Sequence, residues 1–590
     1  MLPRQQAIWH EHAHVDRNDL HEPGAIFACY RLYHLAGAAR PMSDILIIGA
    51  GPVGLMLALD LAARGVTTTV VETRAAGEPP SVKCNHVSSR TMEALRRLGL
   101  SRAVRAAGLP DDYPNDIAFR TSMTGLEMAR IAIPSRRDRY TSRDGADSWW
   151  PTPEPPHRVN QIYFEPILFA RAEAEPAITL LPATRFDTAR EEGEGVVAAI
   201  TDLASGEERE LRARYLVGCD GGRSNVRRLI GAKLEGDAVI QRVQSTLIDA
   251  PDLLGRIRGK PGWMNYNYNL RRAGTVVAID GVRRWLVHNY LLPDEGDFDS
   301  IPREQGIRDI LGVDAEFPIE MVAKEDWIGR RLVADRFRLG RMFIAGDASH
   351  LWVPYAGYGM NAGIADALDL SWLLAAHVGG WAPEAILDAY EAERKPITEQ
   401  VSRFAMGYAE GAIRERNTLP QGIEDETADG AEIRRALGAR VTANNVQQFA
   451  CAGLNYGYYY DASPIVAYDG EGPPGYTMYD YTPSTAPGAR VPHFFLADGR
   501  SVYDLMGQGF ALLVLDRTVD VAPLIEAAAA RGVPLTVVAV DRALDGVPDC
   551  YGHALLLSRP DFHVAWRGDA IGDTGALIDR VRGAAERQAG

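Results

Sequence analysis

Hydrophobic and polar positions change period along this chain, and the changes mark out its elements. The run Ile45-Leu46-Ile47-Ile48, set between Asp44 and Gly49, predicts a short buried strand over 44–49. Leu55, Leu59 and Ala62 then fall on one face of a helix over 52–63, and 67–71 returns to a strand. Strand, helix, strand in this order is the unit of a parallel α/β sheet. Farther on, 263–270, 275–279 and 284–290 alternate apolar and polar residues, which predicts an antiparallel sheet with one solvated face. From about Pro487 the order is a strand at 510–515, an alanine-rich helix at 521–531 and a strand at 535–540. Strands at 554–557 and 563–567 follow, joined by a turn at 558–561, and a helix at 574–583 ends the series. Between these units, 116–160 reads as loop-rich because of its prolines at 151, 153, 155 and 156. A helix is expected over 382–394, and the polar, acidic stretch 414–432 reads as surface. The fold class is therefore α/β. The expected division is an extension at 1–42, a nucleotide domain at 43–231, an inserted sheet domain at 232–330, a return at 331–410, a connector at 411–486 and a terminal unit at 487–590.

The turn after the first strand has chemistry of its own. In Gly49-Ala50-Gly51-Pro52-Val53-Gly54, Gly49 allows a tight turn and Gly51 lets backbone approach a pyrophosphate. Gly54 permits close packing of helix on strand, and Pro52 suits the first helical position. Free N–H groups and the positive dipole end of the helix then face the phosphates. Glu72, ending the second strand, stands at the spacing of the acid that binds a ribose hydroxyl, which favours FAD or NAD over NADP. Two more glycine segments follow, Cys219-Asp220-Gly221-Gly222-Arg223-Ser224 and Gly346-Asp347-Ala348-Ser349-His350, the latter continuing through Pro354 to Gly363.

With Arg90-Thr91-Met92-Glu93 and Asn160-Gln161-Ile162-Tyr163-Phe164-Glu165-Pro166, these segments resemble the group A flavoprotein aromatic hydroxylases. The resemblance is to the branch of phenol hydroxylase and 2,4-dichlorophenol monooxygenase, and it runs from about Ser43 to the C-terminus. It implies a Rossmann-type FAD-binding domain, an inserted antiparallel-sheet substrate domain and a C-terminal thioredoxin-like domain. It also implies non-covalent FAD, NADH or NADPH as cosubstrate, molecular oxygen, and hydroxylation of a phenolic ring through a flavin hydroperoxide. Asp220 and Gly221 take a place in FAD and NAD(P)H binding, and Asp347 the ribityl region. Pro354, Gly357, Gly359, Met360 and Asn361 lie beside the flavin ring; Arg90 and Gln161 are further cofactor positions. Lys83 stands where the family has an Arg, and it meets a phosphate as a point charge without the bidentate fork. The family's base position holds Asn85, which cannot take a proton, so His86 and His288 become the candidate bases, with Pro354 shaping the oxygen pocket. Tyr266 and Tyr268 are candidate substrate contacts. Epoxidation or Baeyer–Villiger oxidation of a polycyclic substrate is the alternative within the class. A halogenase lacks its Trp-x-Trp-x-Ile-Pro segment here, and a non-catalytic FAD-fold protein would not need the loop at 354–363.

Composition narrows the partners. A formal net charge of −15 over 590 residues argues against nucleic acid, whose binding rests on Lys and Arg. The longest apolar stretch, 45–63, contains Asp60 and the nucleotide turn, and no membrane span is expected. Cysteines at 29, 84, 219, 451 and 550 form no CxxC pair, which suits a reduced cytoplasmic setting and leaves the terminal unit structural or a homodimer contact. His10-Glu11-His12-Ala13-His14 matches HExxH, but no third ligand or surrounding fold accompanies it, so no metal is expected.

Overall fold

The computed structural model describes residues 43–292, 294–353 and 357–585. The HExxH segment and Pro354 lie outside the described residues. Among those described, three sheets form, of eight, nine and four strands.

The eight-stranded sheet has a parallel core. Ser43–Ile48 pairs in parallel with Thr68–Val71 on one side and Glu208–Gly218 on the other; Met342–Ile344 extends the row beyond Glu208–Gly218. Ile45, Leu46 and Ile47 are fully buried, as parallel strands covered on both faces must be. Helix Pro52–Ala63 covers one side and packs against helix Gly359–Val378, where Gly363 brings its backbone close to Gly346.

The nine-stranded sheet contains the three expected alternating strands, trimmed to Met264–Asn267, Gly274–Ala278 and Arg284–Tyr290. Two more of its strands, Ile117–Arg120 and Glu127–Ile131, come from the stretch expected to be loop-rich. Ile117–Arg120 is buried at every position, so it shows no alternation to read, and it pairs in parallel with Met264–Asn267. Helix Arg303–Leu311 packs one face so closely that a Cβ at Gly274 would stand 2.4 Å from Ile310. On the opposite face Ser245, His288, Thr275, Tyr266 and Phe119 form one row across five strands, each opposite the next.

The terminal unit pairs Phe510–Val514 in parallel with Leu535–Ala539 and antiparallel with Leu555–Ser558, which Val564–Gly568 completes. Its helices are Ala522–Ala530 and Thr574–Val581. This is the thioredoxin-like arrangement, and its single cysteine, Cys550, provides no dithiol. The helix expected at 382–394 instead begins at Asp388, after a short 3-10 turn at Glu384–Leu387, and continues past Pro396 to Asn417. No helix among the described residues is long and apolar enough to cross a membrane.

Histidines held low by burial set an acid limit on stability. Burial holds His288 down at about 4, and His157, His493 and His563 at about 3. All of these lie below the unfolded value of about 6.5, so the unfolded chain takes up protons first as pH falls. Stability is complete above about pH 6.5 and falls toward pH 4, by roughly 1–2 kcal/mol per histidine at pH 5. Denaturant midpoints measured from pH 8 to pH 4.5 should be flat at first and then decline; a flat profile down to pH 5 would contradict this.

Candidate active site

The carboxyl ends of adjacent parallel strands Ser43–Ile48, Glu208–Gly218 and Met342–Ile344 bring the three glycine segments to one edge of the sheet. This is where open α/β sheets take their ligands. Gly49 has φ +106°, and a Cβ there would lie 2.4 Å from the carbonyl oxygen of Cys219. At Gly54 a Cβ would reach within 2.0 Å of the Gly49 oxygen. Gly51 differs from both, since nothing lies within 4 Å of its Cβ position and its front face is open. Ala50 N–H donates to Glu72 Oε2 at 2.7 Å, fixing the acid at the mouth of the turn. Arg74 joins Glu72 to Glu165, and Gln161 Nε2 donates to Glu165 at 2.8 Å. Gln161 thus reaches the ribose acid through two intermediates. Burial raises the Glu165 carboxyl, with Arg74 opposing.

Asp220 caps the short helix Asn225–Leu229, accepting from the N–H groups of Asn225 at 2.6 Å and Val226 at 3.2 Å. Its other oxygen is buried without a hydrogen bond from the described residues. Gly221 has φ +75°, which the turn needs. Asp347 makes no hydrogen bond with the described residues, and its side chain is exposed. Surrounding protein pushes its carboxyl above the usual range, against His350 and Lys83. Lys83 pairs with Glu325 at 3.0 Å. Behind Asp347 a chain that sequence reasoning missed holds the turn. Asp366 accepts from Gly346 N–H at 3.1 Å and from Arg394 Nε at 2.9 Å, and lies 2.7 Å from His350 Nε2. Gly346, His350 and Asp366 lie inside recognised segments, the last at the end of the run 354–366; Arg394 carries no local signal.

At the start of helix Gly359–Val378 the side chain of Asn361 is saturated. It accepts from Ser88 N–H and Thr91 Oγ1 and donates to the carbonyls of His86 and Gly357, all within 3.0 Å. Asn361, expected beside the flavin ring, therefore spends its side chain locking loop 86–88 to the turn. Met360 is buried, and a Cβ at Gly359 would meet only Trp352, at 3.8 Å. Gly357, with φ +60°, packs directly on His86, whose Cβ and Nδ1 lie 3.0 Å from its Cβ position. Asn85 Oδ1 accepts from Asn160 Nδ2 at 2.6 Å, and Asn160 caps helix Gln161–Glu173. These contacts make Asn85 and His86 a brace for the loop. Arg90 stacks on the Tyr458 ring, with 4.6 Å to its centroid, and lines a cavity between the terminal unit and the start of helix Gly359–Val378.

The second group of candidate site residues lies in the row on the nine-stranded sheet. Ser245, Thr275, Tyr266 and Phe119 are at most 6% exposed, while His288 remains partly open. Trp327 Nε1 donates to Ser245 Oγ at 2.8 Å, and Ser245 Oγ lies 2.7 Å from His288 Nδ1. With one lone pair taken by Trp327, the serine oxygen can donate to Nδ1 or accept from it, according to the imidazole tautomer. Tyr266 stacks on Phe119 with centroids 5.4 Å apart and takes a hydrogen bond from Gln448; Tyr268 is buried. Ser245 and Trp327 were not expected from sequence, since their pairing depends on strand register. Among the described residues no cluster of His, Cys, Asp and Glu suits a metal.

The residues fit FAD. Gly51 offers the open approach a pyrophosphate needs, Glu72 is held at the turn, and Asp347 is an uncommitted acceptor on the same sheet edge. Comparisons with known proteins agree. Residues 42–405 match the FAD binding domain family, and 484–587 match the aromatic-ring hydroxylase C-terminal family. The FAD-dependent monooxygenase apdD of Emericella nidulans is 33% identical over 556 residues, covering 89% of this chain and 88% of that one. Phenol 2-monooxygenase of a Pseudomonas species is 27% identical, with 90% of each chain covered. The rebeccamycin biosynthetic enzyme RebC, solved with reduced flavin, superposes with a TM-score of 0.82 at 34% identity, over 93% of this chain and 100% of that one.

Proposed function

Because this chain belongs to the FAD-dependent aromatic-ring hydroxylases and is an FAD-dependent monooxygenase, we propose that it hydroxylates a phenolic ring held against His288, using NADH or NADPH. The observation that carries this reading is the convergence of three glycine segments on one sheet edge, joined to a second sheet whose buried row leaves His288 open. FAD, when bound, accepts a hydride and activates oxygen; the protein binds, orients and excludes water. Backbone at Gly51 takes the pyrophosphate, Glu72 the ribose hydroxyls and Asp347 the ribityl chain. Loop 86–88, braced by Asn361, fixes the turn at Gly357, and the dipole of helix Gly359–Val378 favours negative charge at its start. The substrate is a phenol, the element shared by the names of relatives acting on phenol and 2,4-dichlorophenol. The four described cysteines are unpaired, which supports a cytoplasmic setting.

His288 acts in this reading as a neutral donor. Burial keeps it near 4, so the imidazole is uncharged at physiological pH, and in the tautomer in which Ser245 donates to Nδ1 the Nε2–H is left for the phenol oxygen. His288→Ala should lower product formation by roughly 10²-fold and raise peroxide release, with FAD retained. The pH profile of kcat/KM should show no group titrating near 6.5. A limb near 6.5 that vanishes in His288→Gln would make His288 a base instead. The broader test is NADH and NADPH oxidation against a series of phenols, with peroxide measured separately. A ring that speeds oxidation and suppresses peroxide is expected; indifference to every phenol would overturn the substrate class.

A further inference from the structure

Beside the Gly357 turn, helices Ser89–Arg97 and Gly359–Val378 meet the terminal unit around a cavity of about 40 Å³. Three arginines line it, Arg90, Arg97 and Arg490. Two of them are matched: Arg97 donates to Asp60 at 2.7 Å, and Arg490 is paired with Glu93. Arg90 is not. Its guanidinium makes no hydrogen bond or ion pair with the described residues, and its one defined contact is the face of Tyr458.

The acids in the wall are already committed elsewhere. Glu93 holds Arg490 and takes a hydrogen bond from Thr152; Asp561 is bound by Arg559 at 2.7 Å. Asp369 lies 3.3 Å from Arg394 and accepts from Tyr460 at 2.6 Å. After burial itself, the largest influence on Arg90 is the like charge of Arg490. An enclosed cation beside another cation, with no acceptor in reach, is electrostatically incomplete. Ala365, Leu368 and Phe562 make the remaining wall apolar.

We propose that this cavity binds a small organic carboxylate, whose two oxygens meet the planar fork of Arg90 while its alkyl part packs on the apolar wall. Such a ligand would tie the terminal unit to the FAD-binding unit, because Arg490 and Phe562 come from the former and Arg90 and Ala365 from the latter. It reaches neither Gly51 nor His288, although Ser88, Tyr358 and Asn361 beside the Gly357 turn also line the cavity, so its test is read from stability rather than turnover.

The test is thermal unfolding of the FAD-loaded enzyme in sodium acetate and sodium propionate, against sodium chloride at equal ionic strength. A saturable rise of the midpoint with the carboxylates, larger for propionate and absent with chloride, is expected. Arg90→Lys should weaken the apparent affinity at least 10-fold and Arg90→Gln should abolish the effect. Ala365→Phe, which fills the cavity and leaves Arg90 in place, should abolish it too and serves if Arg90→Gln does not fold. Equal shifts in all three salts would refute a carboxylate site, as would a shift that persists in Ala365→Phe.

Discussion

Gly51→Val should fold and yet fail to hold FAD. Its Cβ position has nothing within 4 Å, and its φ of −72° is open to any residue, so the protein itself offers no objection to a larger side chain. The space in front of it is where the pyrophosphate must approach, and two γ-methyl groups would occupy it. Affinity for FAD should fall by at least 100-fold, about 2.7 kcal/mol. The variant should purify colourless, with a circular dichroism spectrum and a denaturant midpoint equal to those of the flavin-stripped parent. Gly54→Val provides the contrast, because its Cβ would collide with the Gly49 oxygen at 2.0 Å and the turn itself could not form. A yellow Gly51→Val enzyme with ordinary flavin content would sink the assignment of this turn.

Glu393→Ala should detach the terminal unit. Glu393 lies on helix Asp388–Asn417 and grips Arg559 of the terminal unit through two hydrogen bonds of 2.6 and 2.8 Å, with both side chains at most 1% exposed. Removing one member of a buried pair leaves the other charge without compensation, a loss of about 3–5 kcal/mol. Asp561 also binds Arg559, so the lower end of that range is expected. Ser463, which donates its hydroxyl to Glu393, loses its partner as well. Limited proteolysis should cleave the variant between the two units under conditions that leave the parent whole, and the denaturant midpoint should fall. Cleavage no faster than in the parent would place the strength of the junction elsewhere, at Glu93–Arg490 and Arg96–Asp504.

Much of this was legible in the sequence where it is local. The strand before Gly49, the helix after it and the acid at Glu72 follow from spacing alone, and the strands and helices of the terminal unit fall within a few residues of expectation. What was hidden depends on partners far apart. Asn361 reads as a polar residue beside a flavin, but its four hydrogen bonds tie it to residues 86, 88, 91 and 357. Asn85 reads as a substrate contact, while its oxygen belongs to Asn160. Arg90 sits in a recognised motif, and only tertiary packing turns it toward Tyr458. Ser245 and Trp327 join His288 through strand register, which period-two patterns do not specify between strands.

Synthesis of the chain runs ahead of its sheet. Strand Glu208–Gly218 keeps a bare edge until Met342–Ile344 has been made, and the cradle for FAD is incomplete until the same moment. A nascent chain short of Met342 exposes unpaired backbone of the kind that recruits other chains. Once the last strand docks, cofactor binding favours only the finished fold and draws the population toward it. Flavin supply in the producing cell should therefore govern soluble yield, with riboflavin-starved cells accumulating aggregate rather than colourless enzyme.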